Sequence, residues 1–398
     1  MRILLTSESH LPYLSGVTVS VDALARGLGA RGHEVMVLAP RPARGASVDE
    51  IGSPGPAPRY AWLASYQLPW IAPPGYRMPL PNPADAAISE ARRFGPDIVH
   101  AHSPFVSGLI ARQLARGLGR PLAFTHHTRF GDYLHYLGPL ARPGARLSDA
   151  FIRRFWAGCS GIVAPSTELA EEIRSGLPEH AEARVVVIPT GVDVAGIQTR
   201  QPVDSRAAAG WAPDTLVVAG LGRLAPEKSP LTVVEAFRTA LRVQPRLRLL
   251  LIGGGPMEME LRARVQEPDL VGRVHLTGRL PRPDALGVLR GADLFVFASR
   301  TETQGLVLAE ALSAGLPAIA LDGPGVRDSV REGIDGRIVA ADPEASRATR
   351  LAEALEQLAG DDVTRASMAT RARSDATRFA VDARVAQVES FYLSLASA

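Results

Sequence analysis

Short apolar runs alternate with amphipathic stretches from one end of the chain to the other. Ile3–Thr6, Glu34–Ala39, Asp97–Ala101, Leu122–Thr125, Gly161–Ala164 and Val185–Ile188 are runs of four to six mostly apolar residues. They lack the strict alternation of a half-exposed strand, which predicts parallel strands covered on both faces. Helical patterns fall between most of them, beginning with Val19–Ala30, and right-handed crossover helices join parallel neighbours. The first half reads as a doubly wound α/β domain. The exception is Arg41–Pro83, rich in Pro and Gly and carrying Tyr60, Trp62, Tyr66, Trp70 and Tyr76. It resists a regular reading and is expected to be a long surface excursion.

The pattern then pauses and restarts. Gly191-Val-Asp193 leads into the polar stretch Gln198–Pro213. Strands are predicted at Leu216–Leu221, Leu247–Ile252, Val274–Leu276, Leu294–Ala298 and Pro317–Ala320. Helices are predicted at Leu231–Val243, from Met257, at Leu286–Gly291 and at Gly305–Ala314. This is a second α/β unit, with a linker within 194–213. The chain closes on three helical patterns, Arg347–Leu358, Thr364–Ala376 and Val381–Leu395. Ligands of open α/β sheets bind beyond the carboxyl ends of the strands, so loops of both halves are expected to carry the chemistry across a cleft.

Composition narrows the class. The 398 residues, 46% hydrophobic and 21% charged, suit two globular domains rather than a disordered or fibrous chain. A net charge of +3 is too slight to predict nucleic-acid binding. The single cysteine, Cys159, excludes a disulfide framework within the chain. No apolar run reaches the ~20 residues that span a bilayer, and Met1-Arg-Ile-Leu-Leu-Thr-Ser7 reads as a first strand rather than a leader. A cytoplasmic setting is expected, with peripheral attachment to the inner face of the cell membrane as a further expectation. One feature is unusual: of 44 basic residues only Lys228 is lysine, the rest being arginine. A lone retained lysine suggests a need for a compact ammonium rather than a planar fork.

That lysine stands in a suggestive place. Gly220-Leu-Gly222-Arg223-Leu-Ala-Pro-Glu-Lys228 follows the strand at Leu216. Its glycines permit close approach of a ligand, and its two cations suit a diphosphate. It is not a Gly-x4-Gly-Lys-Ser/Thr phosphate loop, and no Gly-x-Gly-x-x-Gly follows the first strand of either unit. Thr301-Glu302-Thr-Gln304-Gly305-Leu306-Val307-Leu-Ala-Glu310 follows another apolar strand. A helix beginning at Gly305 offers free amides and the positive end of its dipole to an anion. Carboxylates beside a phosphate repel it unless they hold hydroxyls, so Glu302 and Glu310 suggest recognition of sugar or ribose hydroxyls.

Glu302 and Glu310 at this spacing, with Gly222-Arg223-Leu and Lys228, resemble the donor-site signature of retaining glycosyltransferases of family 4, which have the GT-B fold. The resemblance extends over nearly the whole chain. Thr6-Ser-Glu-Ser-His-Leu-Pro-Tyr-Leu-Ser-Gly16-Val17 is similar to the family's opening strand and loop, and Thr125-His-His127-Thr128 to its histidine segment. Val163-Ala-Pro-Ser166, Val187-Ile-Pro-Thr-Gly-Val-Asp193 and Gly325-Val-Arg-Asp-Ser-Val-Arg-Glu-Gly333-Ile-Asp-Gly336 resemble later family segments. Ser15-Gly16 stands where relatives commonly have two glycines, which bears on how closely the backbone approaches phosphate at residue 15.

The resemblance implies an acceptor-side domain of residues 1–193, joined by a returning helix 381–398, and a donor-binding domain of residues 194–380. It implies that Arg223 and Lys228 hold the diphosphate with help from the Gly16 amide. Glu310 would hold the ribose, and Leu280 in the turn Gly278-Arg-Leu280 would face the base. Glu302 and the amides of Gln304, Gly305, Leu306 and Val307 would meet the sugar and phosphate, and His127, rather than its neighbour His126, would touch the sugar. Catalytic roles thus fall on His127 and Glu302. The co-substrate is a nucleotide-diphosphate sugar, with retention of configuration at the transferred hexose. No Asp-x-Asp metal motif occurs, so no metal or other cofactor is expected.

The acceptor is open. His127-Thr-Arg-Phe-Gly-Asp-Tyr-Leu-His-Tyr136 resembles bacterial diacylglycerol glucosyltransferases and related mannosyltransferases. Arg112, Arg116, Arg120, Arg129, Arg142, Arg146, Arg153 and Arg154 are opposed only by Asp132 and Asp149. Such a stretch suits an anionic membrane surface, at about 1 kcal/mol per basic residue, and favours a lipid acceptor. A soluble sugar or cell-wall glycan is the alternative acceptor. A tandem-Rossmann oxidoreductase, for which Gly253-Gly-Gly255 is the only weak fingerprint, and a non-catalytic sugar-nucleotide binder are the alternatives of other classes.

Overall fold

A computed structural model describes residues 1–13, 15–43, 55–67, 75–128 and 141–397, the side chains of 141–146 excepted. The chain divides into two compact units, Met1–Gly191 with Val381–Ala398, and Val192–Ala380.

The first unit contains strands β1 (Arg2–Thr6), β2 (Glu34–Pro40), β3 (Arg59–Leu63), β4 (Ser65–Tyr66), β5 (Met78–Pro79), β6 (Ile98–Ala101), β7 (Leu122–Thr125), β8 (Gly161–Ala164) and β9 (Arg184–Val187). Helices α1 (Gly16–Ala30), α2 (Ala86–Phe94), α3 (Val106–Leu118), α4 (Ala141–Trp156) and α5 (Thr167–Gly176) lie between them. Seven strands form one parallel sheet in the order β3-β2-β1-β6-β7-β8-β9. The inner strands are buried on both faces, as their unbroken apolar runs require.

Part of Arg41–Pro83 departs from the expected excursion. Arg59-Tyr-Ala-Trp-Leu63 pairs with β2 as an edge strand, and β4 and β5 form a small antiparallel pair. Ala61 and Leu63 are buried. Tyr60 and Trp62 stack with ring centroids 4.8 Å apart and pack on the opposite face of the sheet. The strand alternates in side-chain direction as a β-strand must, but its proline- and glycine-rich flanks concealed it in the sequence. Trp70, Arg129 and Asp132 lie outside the described residues, as do the side chains of Arg142 and Arg146.

The second unit opens with two short helices in the polar stretch, α6 (Val194–Thr199) and α7 (Ser205–Ala209). Then follow β10 (Leu216–Leu221), α8 (Pro230–Val243), β11 (Leu247–Ile252), α9 (Glu258–Arg264), β12 (Val274–Leu276), α10 (Arg282–Arg290), β13 (Leu294–Phe297), α11 (Leu306–Ala314), β14 (Ala318–Leu321), α12 (Val326–Ser329) and β15 (Gly336–Val339). Helices α13 (Arg347–Gly360) and α14 (Asp362–Ser374) complete it. Its sheet is parallel, in the order β12-β11-β10-β13-β14-β15. Three details differ from the sequence reading. Helix α10 starts at Arg282, with Pro283 in its first turn. The last turn expected of the Thr364–Ala376 helix is instead a separate 3-10 turn at Ala376–Phe379. Gly336 opens an edge strand, where its missing Cβ leaves room for the Ala318 carbonyl 2.2 Å from where that atom would stand. The two ends of this unit pair with each other, Val192 N–H donating to the Phe379 carbonyl at 2.8 Å.

The final helix, α15 (Val381–Ala396), packs in the first unit against α1. Gly27 of α1 makes this close: a Cβ there would stand 2.6 Å from Cγ2 of Val385. At the other end of the contact Glu389 accepts from Arg31 Nε at 2.7 Å and lies 2.8 Å from His33 Nε2.

Candidate functional site

In the second unit the carboxyl ends of β10, β11 and β13 bring three loops together. The chain leaves β10 through Gly222, whose φ of 150° lies outside the range favoured by other residues. The glycines that follow β11 pack onto this loop. A Cβ on Gly253 would lie 2.0 Å from the Gly222 carbonyl oxygen, and one on Gly255 2.3 Å from that of Leu224. Gly253-Gly-Gly255 thus serves backbone-to-backbone packing that shapes the β10 loop, rather than a dinucleotide fingerprint of its own.

Beyond Arg223 the loop forms a 3-10 turn, Pro226–Lys228, and passes through Ser229 at φ 49° into α8. Ser229 is the one non-glycine at positive φ among the described residues, a conformation that persists only where the surroundings impose it. The turn buries the Glu227 side chain and leaves Arg223 44% exposed, with its guanidinium 3.7 Å from Glu227 Oε1. Arg223 is therefore oriented from behind and open in front. The β13 loop is stitched to this turn: Ser299 Oγ donates to the Glu227 carbonyl at 3.3 Å and Thr301 Oγ1 at 3.5 Å. One residue on, Glu302 accepts from the Lys228 ammonium in a half-buried ion pair. The sole lysine and the first glutamate of the signature, 74 residues apart, are in direct contact.

Gln304 is buried, and Gly305 at φ 71° caps α11. Gly325, at φ 74°, backs this segment, since a Cβ there would lie 2.5 Å from the Gln304 Cα. The first-turn amides of Leu306 and Val307 have no intrahelical acceptor by position and carry the positive end of the helix. Glu310, on the same helix, is 2% exposed. The Arg282 guanidinium of α10 lies 2.5 Å from its Oε1 as an ion pair without hydrogen-bond alignment. Leu280 packs half-buried against the core just before α10, after Gly278 has bridged back to Gly253. The second unit thus gathers Arg223, Lys228, Leu280, Glu302, Gln304, Gly305, Leu306, Val307 and Glu310 on the loops and helix starts at one edge of its sheet. Arg282 and Glu227 belong to the same constellation and were missed. In a chain whose cations are almost all arginine, no spacing sets Arg282 apart, and Glu227 reads as an ordinary turn residue.

The first unit holds the other two sequence-selected residues. Gly16 opens α1 after Ser15, which caps the helix by accepting from Thr18 N–H at 3.2 Å. A Cβ on Gly16 would meet nothing within 4 Å. Ser15 has φ −148°, extended backbone that needs no glycine, which accounts for the replacement of the double glycine. His127 follows β7, with its Nε2 2.8 Å from Nδ1 of His102. His126 turns the other way, is buried, and accepts from Trp156 Nε1 at 3.2 Å. Beneath them His100 joins the Tyr392 hydroxyl of α15 to the Thr125 hydroxyl. Burial pushes the His100 and His127 imidazoles down to about 3, so both rings are neutral at ordinary pH.

Comparison with known proteins places the chain in a family. Residues 14–195 match the family model described as Glycosyltransferase Family 4, and residues 204–375 match Glycosyl transferases group 1. An alpha-monoglucosyldiacylglycerol synthase of Streptococcus pneumoniae is 28% identical over 85% of this chain and 75% of its own. A GDP-mannose-dependent alpha-mannosyltransferase of Mycolicibacterium smegmatis is 32% identical over 83% of this chain and 82% of its own. The crystal structure of Anabaena Alr3699/HepE in complex with UDP superposes with a TM-score of 0.74 at 18% identity, covering 99% of this chain and 100% of that one, a likeness of fold. The chain belongs to glycosyltransferase family 4, the GT-B enzymes that use nucleotide sugars.

Proposed function

We propose that the protein transfers a hexose from a nucleotide-diphosphate sugar to a membrane lipid with retention of anomeric configuration. The observation that carries the donor half is the Lys228–Glu302 ion pair beside Arg223 and the start of α11. Breaking the anomeric C–O bond builds negative charge on the leaving diphosphate. A guanidinium, an ammonium and a helix N-terminus held in place beforehand stabilise that charge without reorganisation. Glu302 is paired with the Lys228 ammonium. A bound diphosphate takes over this partner, and Glu302 is left beside the sugar as a stabilising carboxylate rather than an assigned nucleophile. Glu310, held by Arg282, accepts from ribose hydroxyls, and His127 meets the sugar. Two cations and a helix start supply the positive charge that a metal supplies elsewhere, so transfer proceeds without one and survives chelation by EDTA.

The lipid acceptor is supported by the similarity to a diacylglycerol-lipid synthase and by surface chemistry. Arg116, Arg120, Arg153 and Arg154 are exposed on or beside α3 and α4, with Leu109 47% and Leu147 74% exposed on the same helices. Arg116 and Arg154 both press on the Arg112 guanidinium, whose affinity for its proton is lowered first by burial and then by these neighbours. The attachment proposed is peripheral, through this arginine-rich surface of α3 and α4; no helix among the described residues is long and apolar enough to cross a membrane. The mannosyltransferase similarity makes GDP-mannose the main competitor to UDP-glucose as donor.

The test is transfer of labelled hexose from UDP-glucose, GDP-mannose or ADP-glucose to diacylglycerol in vesicles with and without anionic phospholipid. The expected product is organic-extractable, has the α linkage of the donor, and forms faster on anionic vesicles. Label appearing only on soluble sugars or glycans would refute the lipid acceptor, and an inverted anomer would refute retention.

A further inference from the structure

The geometry points to His102 as the positioning residue for His127, donating from its Nδ1 and fixing His127 as the Nδ1-protonated tautomer. This assignment rests on the reading that His127 meets the sugar, and it goes beyond that reading by stating what His127 is able to do there.

The two rings are near-parallel, 21° apart in plane with centroids separated by 5.1 Å, and His102 Nδ1 lies 2.8 Å from His127 Nε2. His102 is 3% exposed, and its second nitrogen, Nε2, is buried with no hydrogen-bond partner among the described residues. Its backbone is fixed by donation from its N–H to the Thr6 carbonyl at 2.9 Å. The ring packs 4.2 Å from that of His100, whose two nitrogens are both engaged by hydroxyls. Only one proton fits between two neutral imidazoles at this separation, and each ring carries one proton in all. If His127 donates from Nε2, His102 must carry its proton on Nε2, a buried N–H with no acceptor. If His102 donates from Nδ1, its Nε2 is left as an unprotonated nitrogen. Orphaned buried N–H groups are the rarer outcome in folded proteins, so the second arrangement is favoured.

The consequence falls on His127. Its Nε2 accepts from His102, its proton sits on Nδ1, and the ring has no basic nitrogen left for a substrate. A ring in this tautomer presents no unprotonated nitrogen to the sugar, so His127 does not act as a general base. His126, one residue away, does not take this part, because its Nδ1 accepts from Trp156.

The experiment uses the full-length protein labelled with 15N-histidine, with long-range 1H–15N correlation spectra assigned by comparison with His127→Gln. The expected spectrum shows a proton-bearing Nδ1 and an unprotonated Nε2 for His127. A proton on Nε2 of His127 overturns the proposal. Transfer assays give a second reading. His102→Asn places an amide donor where Nδ1 was, whereas His102→Gln and His102→Phe do not. The expected result is a loss of about tenfold or more in kcat for Gln and Phe, with donor KM little changed, and recovery of most of it in Asn. Equal loss in all three variants at an unchanged melting temperature overturns the proposal. Full-rate transfer by His127→Ala would instead remove His127 from the sugar, while the spectrum still decides the tautomer.

Discussion

At the scale of single residues, the most informative position is Lys228. The composition marks it, because every other basic residue is arginine, and the structure gives it Glu302 as a partner. Lys228→Ala is expected to lower kcat by about 10²–10³, the loss typical of one preorganised donor. Lys228→Arg is expected to restore only part of it, because a planar fork does not replace a compact ammonium at a half-buried site. Steady-state transfer or donor hydrolysis measures both, and a Lys228→Ala enzyme at full rate would remove the diphosphate account. Arg282 is the complementary case, silent in the sequence and visible only in three dimensions. Replacing it with Met leaves the buried Glu310 carboxylate without its cation. The expected result is roughly tenfold or more weaker donor binding, about 1–3 kcal/mol, read by calorimetric titration with the nucleotide diphosphate.

At the scale of elements, the strands were legible wherever burial on both faces wrote itself as an uninterrupted apolar run. β7, β8, β10 and β11 fall on the residues expected. Of the four edge strands of the two parallel sheets, β9 and β12 still carry short apolar runs and were read. β3 and β15 were not, because their few apolar residues adjoin an arginine and are flanked by glycines and prolines. The identity of such a strand depends on the neighbour it pairs with. Helix α15 was legible as a helix, whereas its packing on α1 depends on Gly27, which reads in the sequence only as a weak helix position. Gly27→Ala places a methyl 2.6 Å from Val385 Cγ2 and is expected to destabilise by about 1–3 kcal/mol through overpacking. Val385→Ala in the same chain should return a large part of that loss. Thermal melts of the two single variants and the double variant measure the coupling, and strict additivity would contradict the contact.

At the scale of the molecule, the first unit carries a stock of buried neutral histidines. Burial pushes His10 down to about 4, His100 and His127 to about 3, and His102 well below the ordinary value. An unfolded histidine takes up its proton near pH 6.5, while these stay neutral, so the unfolded state binds more protons as the pH falls. Their contribution to stability is complete above about pH 6.5 and is lost progressively below it, down to the folded values. At pH 5 each ring that titrates independently costs about 2 kcal/mol. Glu8, held above the usual carboxylate range mainly by burial, acts in the opposite direction and offsets a part. Urea unfolding followed by fluorescence should show a markedly lower midpoint at pH 5 than at pH 7.5, and an unchanged midpoint would mean that the buried rings are already charged.

The sequence by itself determined the two α/β units, the candidate donor loops and the family, because hydrophobic periodicity, glycine-rich turns and motif spacing are local properties of a chain. Only the tertiary structure decided that Lys228 meets Glu302, that Arg282 holds Glu310, and that His102 rather than His126 is the partner of His127. These pairs join residues 25 to 74 positions apart, and which side chains meet at such separations follows from sheet order and packing rather than from any local signal.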